Sequence, residues 1–218
     1  SQEIIVGAHY DSVQAGKGAD DNASGVAVIL EVAERLRNQE TPYTIRFILF
    51  GAEELGLQGS KNYVGQMLED QVKNTIAMIN LDSVTAGDLA YIYGDKGKQG
   101  MIRDWALNFA QEHHLALQTQ AGENPKYPAG TTGDWSDHAP FKNAGIPYAY
   151  FESTNWTLGD KDGYTQVSTK YGENGEIWHT QYDTLEYING TFPGRMQERL
   201  NLFVTVLEAI LTTFQVTK

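Results

Sequence analysis

Short apolar runs alternate along the chain with longer stretches in which apolar positions recur every three or four residues. The apolar runs predict buried strands at residues 4–8, 44–50, 75–81, 89–93 and 146–151. The stretches with the helical period predict helices at residues 23–37, 60–68, 102–114 and 193–214. This alternation predicts the α/β class, with a mostly parallel mixed sheet that has helices on both faces in a single three-layer domain.

Other features of the sequence predict two loops, the start of the last helix and the buried face of the first helix. Residues 120–132 and 155–175 are rich in Gly and polar residues and are predicted to be loops. Pro193 lies near the start of the last helix, where a missing N–H is tolerated. The buried stripe of the first helix is predicted to contain Val26, Ala27, Ile29, Leu30, Ala33 and Leu36.

Composition narrows the classes of function. With 41% hydrophobic and 20% charged residues, the 218-residue chain is typical of a globular domain. Its 28 acidic residues against 16 basic ones give a net charge of −12, which argues against binding to nucleic acid. The absence of cysteine excludes disulfides and Cys-type zinc sites, and it suits a secreted protein. The chain has no run of about 18 apolar residues, so we expect no membrane span.

Metal-binding side chains follow the ends of three predicted strands. His9 follows the first strand, Glu53 and Glu54 follow the second, and Asp82 follows the third. In open α/β sheets, ligands bind beyond the carboxyl ends of the strands. One edge of the predicted sheet can therefore bring these four side chains together.

Two further donors extend this set to a site for two metal ions. Asp21 lies in the loop after the first strand, and His179 lies near the end of the chain. Imidazoles and carboxylates suit Zn²⁺ or a similar divalent ion. A two-metal site needs one ligand that touches both ions, and Asp21 is the candidate bridge. His9 with Asp82 would hold one ion. His179 with Glu54 would hold the other.

Two acidic neighbours of these ligands have separate expected roles. Asp11, two residues beyond His9, is placed to accept the free ring N–H of that histidine and so to fix the orientation of the ring. Adjacent carboxylates rarely bind the same ion. Glu53 is therefore free to take a proton from the metal-activated water while Glu54 binds metal.

Six segments together resemble a known family, the co-catalytic dizinc aminopeptidases of the bacterial leucyl-aminopeptidase type. They are HYDS (9–12), GADDNASG (18–25), GAEE (51–54), NLD (80–82), SDHAPF (136–141) and HTQYDT (179–184). The resemblance runs from residue 9 to residue 184 in the order of the family. It implies a zinc-peptidase fold of the phosphorylase/hydrolase-like kind and removal of N-terminal residues, preferably large apolar ones, from peptides.

The resemblance also implies roles for single residues. Two Zn²⁺ per chain would be bound by His9, Asp21, Glu54, Asp82 and His179, with Asp21 as the bridging ligand and Glu53 as the general base. In the resembling enzymes the peptide bond after the bridging aspartate is cis, which predicts a cis bond between Asp21 and Asn22.

The chain departs from the family pattern at its start and before its last metal ligand. Relatives have a further N-terminal segment that this chain lacks, so we expect residues 1–218 to be a dizinc peptidase catalytic domain without its upstream segment. An uncovered sheet edge would then promote self-association. Some relatives have an oxyanion-stabilising tyrosine where this chain has Trp178. A loop tyrosine such as Tyr164 or Tyr171 would have to replace it.

The later loops supply candidate residues for substrate binding and support. Aromatic residues there are expected to form an apolar pocket for the substrate's first side chain, and they are Trp135, Phe141, Trp156, Tyr164 and Trp178. Asp183 is expected either to orient His179 or to cap a turn. His138 is expected to have a structural role in tying down its loop.

Two alternative functions use the same fold. Glutaminyl cyclases share some of these motifs but use one metal ion, and the GADDNASG loop is the aminopeptidase form. A binding domain that has lost its metal ions is the other alternative, but none of the expected ligands is missing here. The leading interpretation is therefore a secreted metalloaminopeptidase.

Overall fold

Four parallel strands form the centre of the fold, and two further strands of opposite direction extend it on one side. The structure, a computed structural model, describes residues 2–216. Its strands are β1 (Glu3–His9), β2 (Thr44–Phe50), β3 (Thr75–Leu81), β4 (Leu89–Gly94), β5 (Leu117–Gln118) and β6 (Tyr148–Thr154). They form one sheet in the order β2-β1-β3-β6-β4-β5. Strand β4 is antiparallel to β6, while β1, β2, β3 and β6 are parallel.

Helices cover both faces of this sheet. They are α1 (Ala23–Leu36), α2 (Gln58–Gly65), α3 (Glu69–Asn74), α4 (Met101–Glu112), α5 (His138–Asn143), α6 (Leu185–Thr191) and α7 (Arg195–Thr213), with a short 3₁₀ helix at Gly97–Gly100. Helices α1, α4 and α7 pack on one face around a core that includes Val6, Ile79 and Phe203. Helices α2, α3 and α5 cover the other face near Ile5 and Met78. The predicted three-layer α/β domain with a mixed sheet is confirmed.

Helix α1 faces the sheet along a stripe that differs from the predicted one. Leu30, expected in the core, is 58% exposed, while Val28 and Val32 are buried. The buried stripe includes Gly25 in the first turn, where a side chain would come within 2.6 Å of the Leu81 carbonyl oxygen at the end of β3. Val28, Ile29 and Val32 continue this buried stripe along the helix.

Other elements match the predictions in type and differ at their ends. The helix predicted at 60–68 begins earlier, at Gln58, and ends at Gly65, before the separate helix α3. The strand predicted at 146–151 begins at Tyr148 and continues to Thr154, because its polar end pairs with β4. Strand β5 and helices α3, α5 and α6 were not predicted, since they are too short to show a period. The predicted loops at 120–132 and 155–175 contain neither helix nor strand.

The sheet has two edge strands, β2 and the two-residue strand β5. Strand β1 is central, and within residues 2–216 strand β2 pairs with β1 alone, so its outer edge is open. Leu49 on this strand is 39% exposed. Self-association through this edge stays a prediction. Across residues 2–216, none of the helices is both long and apolar enough to cross a membrane.

Candidate metal centre

The carboxylate of Asp21 lies between two histidines that come from opposite ends of the chain. Its Oδ1 atom is 3.0 Å from Nε2 of His9, and its Oδ2 atom is 3.1 Å from Nε2 of His179. Asp82 Oδ1 is 3.2 Å from His9 Nε2, and Glu54 Oε2 is 2.9 Å from His179 Nε2. The five side chains thus form two triads that share Asp21, in the pairing that the sequence predicted.

The loop that carries Asp21 is held against the end of β3 by Asn22. The Asn22 amide donates to the Leu81 carbonyl at 2.8 Å, and its Oδ1 accepts the Gly25 N–H at 3.0 Å as the N-cap of α1. The same oxygen accepts the Ser83 N–H at 3.3 Å. One side chain therefore fixes the position of Asp21 relative to Asp82. The Asp21–Asn22 peptide bond is cis, which confirms that prediction.

Three residues with positive φ lie at the loops that carry the other donors. Ala52 precedes the glutamate pair with φ of 55°, Ser83 follows Asp82 with φ of 51°, and His179 itself has φ of 59°. The left-handed region is unfavourable for residues with a Cβ atom, and such residues persist where the surrounding structure holds them. Their presence at three donor segments is typical of a functional site.

Asp11 supports the site in a different way from the predicted one. The Nδ1 atom of His9 lies 2.9 Å from the backbone carbonyl oxygen of Asp11, while the Asp11 carboxylate is farther from it, at 3.6 Å. That carboxylate instead accepts the backbone N–H groups of Glu53 at 3.1 Å and of Glu54 at 3.2 Å. The carboxylate reaches these donors because β1 and β2 are neighbours whose ends meet.

Asp183 and Asp20 hold the loop before Asp21. Of the two roles considered for Asp183, to orient His179 or to cap a turn, its contacts are those of the second, at the turn of residues 19–22. Its carboxylate accepts the N–H groups of Asp20 at 2.6 Å and of Asp21 at 3.1 Å, so it orients the Asp21 loop and not His179. The Asp20 carboxylate accepts the N–H groups of Thr85 at 2.7 Å and Ala86 at 2.9 Å. Sequence reasoning gave Asp20 no role, although it lies within a recognised motif.

The donor set is strongly acidic, and this shifts the pKa values of its members. Burial alone would lower the pKa of His9, but the nearby carboxylates of Asp82 and Asp21 raise it well above its ordinary value. Hydrogen bonds to Asp21 and Glu54 raise the pKa of His179 to about 10. Burial, together with the charge of Asp82, raises the pKa of Glu53 to about 9. The cluster therefore favours bound cations.

The residues present fit a pair of zinc ions. Ligand atoms about 2.0–2.2 Å from a tetrahedral ion lie roughly 3.3 Å apart, and the His–carboxylate distances of 2.9–3.2 Å come close to this. In addition, Glu54 Oε1 is buried and accepts no hydrogen bond within residues 2–216. His9, Glu53 and Glu54 also bring donor atoms within 4.8 Å of one another, which places Glu53 beside both triads.

A cleft of about 470 Å³ opens beside the donors, and it contains three of the five aromatic residues predicted for the substrate pocket. Trp135, Tyr164 and Trp178 line it. Phe141 was a wrong prediction, because it is fully buried in the core beneath α2 and β2. Trp156 was also wrong, because its indole N–H is turned inward and donates to the Tyr93 hydroxyl at 2.6 Å.

Two further residues named in the sequence analysis, Tyr171 and His138, occupy structural positions. Tyr171, one of two tyrosines considered for the oxyanion, packs against Phe192 away from the cleft. His138 is buried between the rings of Tyr148 and Tyr150, and burial lowers its pKa to about 4. Its Nε2 atom lies 3.0 Å from the Gly133 carbonyl oxygen, so His138 ties down its loop as expected.

One buried carboxyl beside the cleft was not foreseen. Glu152 accepts hydrogen bonds from the hydroxyls of Tyr93 at 2.7 Å and Tyr150 at 3.0 Å. Burial raises its pKa to about 8. The strand pattern could have indicated it, since a polar residue at an inward position of a buried strand needs partners.

The fold and the donor cluster at the edge of its sheet are those of an α/β domain with a candidate metal centre. Residues 1–204 match the family model of Peptidase family M28, and the chain belongs to this family. A curated relative is the alkaline phosphatase isozyme conversion protein of Escherichia coli (strain K12), with 38% identity over 218 residues. The match covers 91% of this chain and 63% of that protein.

Solved structures agree with this membership. The zinc aminopeptidase BSAP from Bacillus subtilis matches with a TM-score of 0.74 and 29% identity, over 100% of this chain and 48% of that one. The glutaminyl cyclase of Porphyromonas gingivalis matches with a TM-score of 0.61 and 22% identity, over 96% of this chain and 70% of that one. The second likeness shows a shared fold alone.

Proposed function

We propose that the chain is the catalytic domain of an aminopeptidase that uses two zinc ions to hydrolyse the N-terminal peptide bond of peptides. The observation that carries the proposal is the position of Asp21. Its two oxygens face His9 and His179 at 3.0 and 3.1 Å, as expected for a carboxylate shared by two ions. Membership in Peptidase family M28 and the likeness to a zinc aminopeptidase support it.

The chain's own residues would divide the work of hydrolysis. When bound, the two ions supply a water of lowered pKa and polarise the scissile carbonyl group. Glu53 belongs to neither of the triads that share Asp21, and its carboxylate lies within 4.8 Å of the donor atoms of His9 and Glu54. We assign it the transfer of the proton from the attacking water to the departing amine. Nearby cations favour its ionised form, which can accept that proton.

The lining of the cleft supports a preference for large apolar N-terminal residues. Leu57 and the aromatic side chains of Trp135, Tyr164 and Trp178 give it apolar walls next to the donors. A large apolar side chain would bury its surface there at about 25 cal/mol per Å². Tyr164 is exposed at the cleft, and its hydroxyl is our candidate for stabilising the oxyanion.

The proposal is tested by loading the protein with zinc and following hydrolysis of aminoacyl anilides. We expect two zinc ions per chain and faster cleavage of leucyl and phenylalanyl anilides than of glycyl or glutamyl anilides. Peptides with a blocked N-terminus should be resistant. A protein that binds two ions and cleaves none of these substrates would refute the assigned activity.

Neither alternative is favoured by a specific observation. A glutaminyl cyclase would need one metal ion, whereas the donors form two triads. A binding domain without metal would be expected to lack some donors, and all five are present. An assay for cyclisation of N-terminal glutamine, run beside the anilide assay, separates the two enzyme activities.

Secretion remains a prediction, and the absence of cysteine is compatible with it without indicating it. We expect the protein to be found outside the cytoplasm of its source cells. Fractionation that recovers it only with cytoplasmic markers would contradict this expectation. No binding to nucleic acid is expected, since the net charge is −12.

A further inference from the structure

Gln166 is a fully buried polar residue in the loop between β6 and α6, and it has no role in the proposed chemistry. Its Oε1 atom accepts the backbone N–H groups of Ile177 and Trp178, each at 2.8 Å. Its Nε2 atom donates to Asp20 Oδ2 at 2.7 Å. Because Oε1 accepts from two backbone donors, the orientation of the amide group is determined.

The two partners of Gln166 are each adjacent to a donor of the metal centre. Asp20 immediately precedes Asp21, and Trp178 immediately precedes His179. A single side chain therefore connects the loop of the shared carboxylate to the segment that carries the second histidine. Both contacts lie beside an apolar cluster that includes Val167 and Ile177, where the low local dielectric strengthens hydrogen bonds.

The two halves of the centre differ in how firmly their histidines are held. His9 ends strand β1, and its side chain is 1% exposed. His179 lies outside any helix or strand, has φ of 59°, and its side chain is 47% exposed. The position of His179 therefore depends on its loop, and Gln166 binds that loop directly before the histidine.

We propose that Gln166 is a positioning residue that, through its hydrogen bonds to Asp20 and Trp178, holds His179 in place for the ion shared with Glu54. This inference rests on the proposed two-zinc site. It adds that the binding of one of the two ions depends on a residue outside the sequence motifs. Removal of a residue that orients a metal ligand typically lowers metal affinity by about 10–100-fold.

An exchange of the two hydrogen-bonding groups tests the inference. Gln166→Glu places a carboxylate against that of Asp20, and Asp20→Asn places an amide N–H group against that of Gln166. The double variant Asp20→Asn/Gln166→Glu restores one donor and one acceptor, and it retains an acceptor for Ile177 and Trp178. We expect each single variant to bind the zinc ion at His179 and Glu54 about 10–100-fold more weakly. The affinity of the double variant for this ion should recover to within a few-fold of the wild type.

Zinc titration followed by calorimetry and metal analysis gives the readout, with activity as a second measurement. Gln120→Glu is the matched control, because Gln120 is also a buried glutamine that donates to backbone carbonyls, but it lines a separate cavity that contains none of the metal donors. It should keep both ions at wild-type affinity. The number of zinc ions bound by the wild-type protein tests the two-zinc proposal separately from the role of Gln166. A wild-type protein that binds one ion would refute the two-zinc proposal.

The number and affinity of zinc ions bound by each variant, compared with the wild type, test the inference. Single variants that bind two ions with wild-type affinity would overturn it. A double variant that binds the second ion no better than the single variants, or that fails to fold, would also overturn it. If the single variants do not fold while the double variant folds and binds two ions, that rescue supports the direct pairing of residues 20 and 166.

Discussion

The Asp11 carboxylate accepts the backbone N–H group of Glu53 at 3.1 Å. It also accepts that of Glu54 at 3.2 Å, so one carboxylate orients both the proposed base and a proposed metal ligand. The ends of β1 and β2 are thereby joined where the chemistry is expected. Such a contact contributes to catalysis only through the residues it holds.

Removal of this carboxylate should therefore lower metal affinity and activity together. We expect Asp11→Ala to lose about 10–100-fold in kcat and to bind zinc more weakly. Asp11→Asn retains an acceptor oxygen and should lose less. Asp70→Ala, at an exposed position in α3, is the control. Equal kinetics and metal content for Asp11→Ala and the wild type would contradict this account.

The two adjacent glutamates should respond differently to the same change. Glu53→Ala is expected to retain both zinc ions and near-normal substrate binding, yet to lose about 10²–10⁴-fold or more in kcat. Glu54→Ala removes a ligand from His179's ion, so metal content and activity should fall together. Steady-state kinetics with metal analysis on both variants makes the distinction. The reverse pattern would show that the roles are exchanged.

Strand ends and motif order were sufficient to predict the two triads, because parallel strands bring their carboxyl ends to one edge. The contacts that hold these donors in place could not be predicted in the same way. Asp11 and Asp183 were identified, but their carboxylates bind backbone N–H groups of other loops, and loop conformation has no sequence period. Phe141 and Trp156 were mistaken for pocket residues because the sequence between the predicted elements does not show which aromatic side chains face inward. Glu152 and Gln166 belong to no motif.

Glu152 should make the stability of the protein depend on pH. Its pKa rises from 4.5 in the unfolded chain to about 8 in the fold, mainly through burial. The folded state thus keeps a proton that the unfolded chain releases, and stability falls as the pH rises from about 4.5 to about 8. Glu152→Gln cannot ionise and keeps partners for Tyr93 and Tyr150.

Thermal unfolding of the two proteins at pH 5 and pH 8 checks this expectation. The unfolding midpoint of Glu152→Gln relative to the wild type should increase by a few degrees between these pH values. The difference measured at pH 5 serves as the internal control for packing changes. A difference that does not change with pH would contradict a raised pKa of Glu152.

We predict that the protein self-associates through the outer edge of strand β2. Leu49 is exposed there, and exposed edges pair with other chains unless charged residues prevent it. We expect Leu49→Lys to shift the protein toward monomer in concentration-dependent light scattering. Leu30→Lys, on the exposed side of α1, is the matched control. A wild-type protein that remains monomeric at all concentrations would remove the basis for this prediction.

The central claim is that Asp21 is shared by two metal ions, and anomalous scattering from zinc-loaded crystals measures this directly. Data collected above and below the zinc absorption edge should show two peaks about 3.5–4 Å apart. One peak should lie against His9 and Asp82, the other against His179 and Glu54, with an Asp21 oxygen facing each. A single peak, or two peaks of which neither contacts Asp21, would contradict the account.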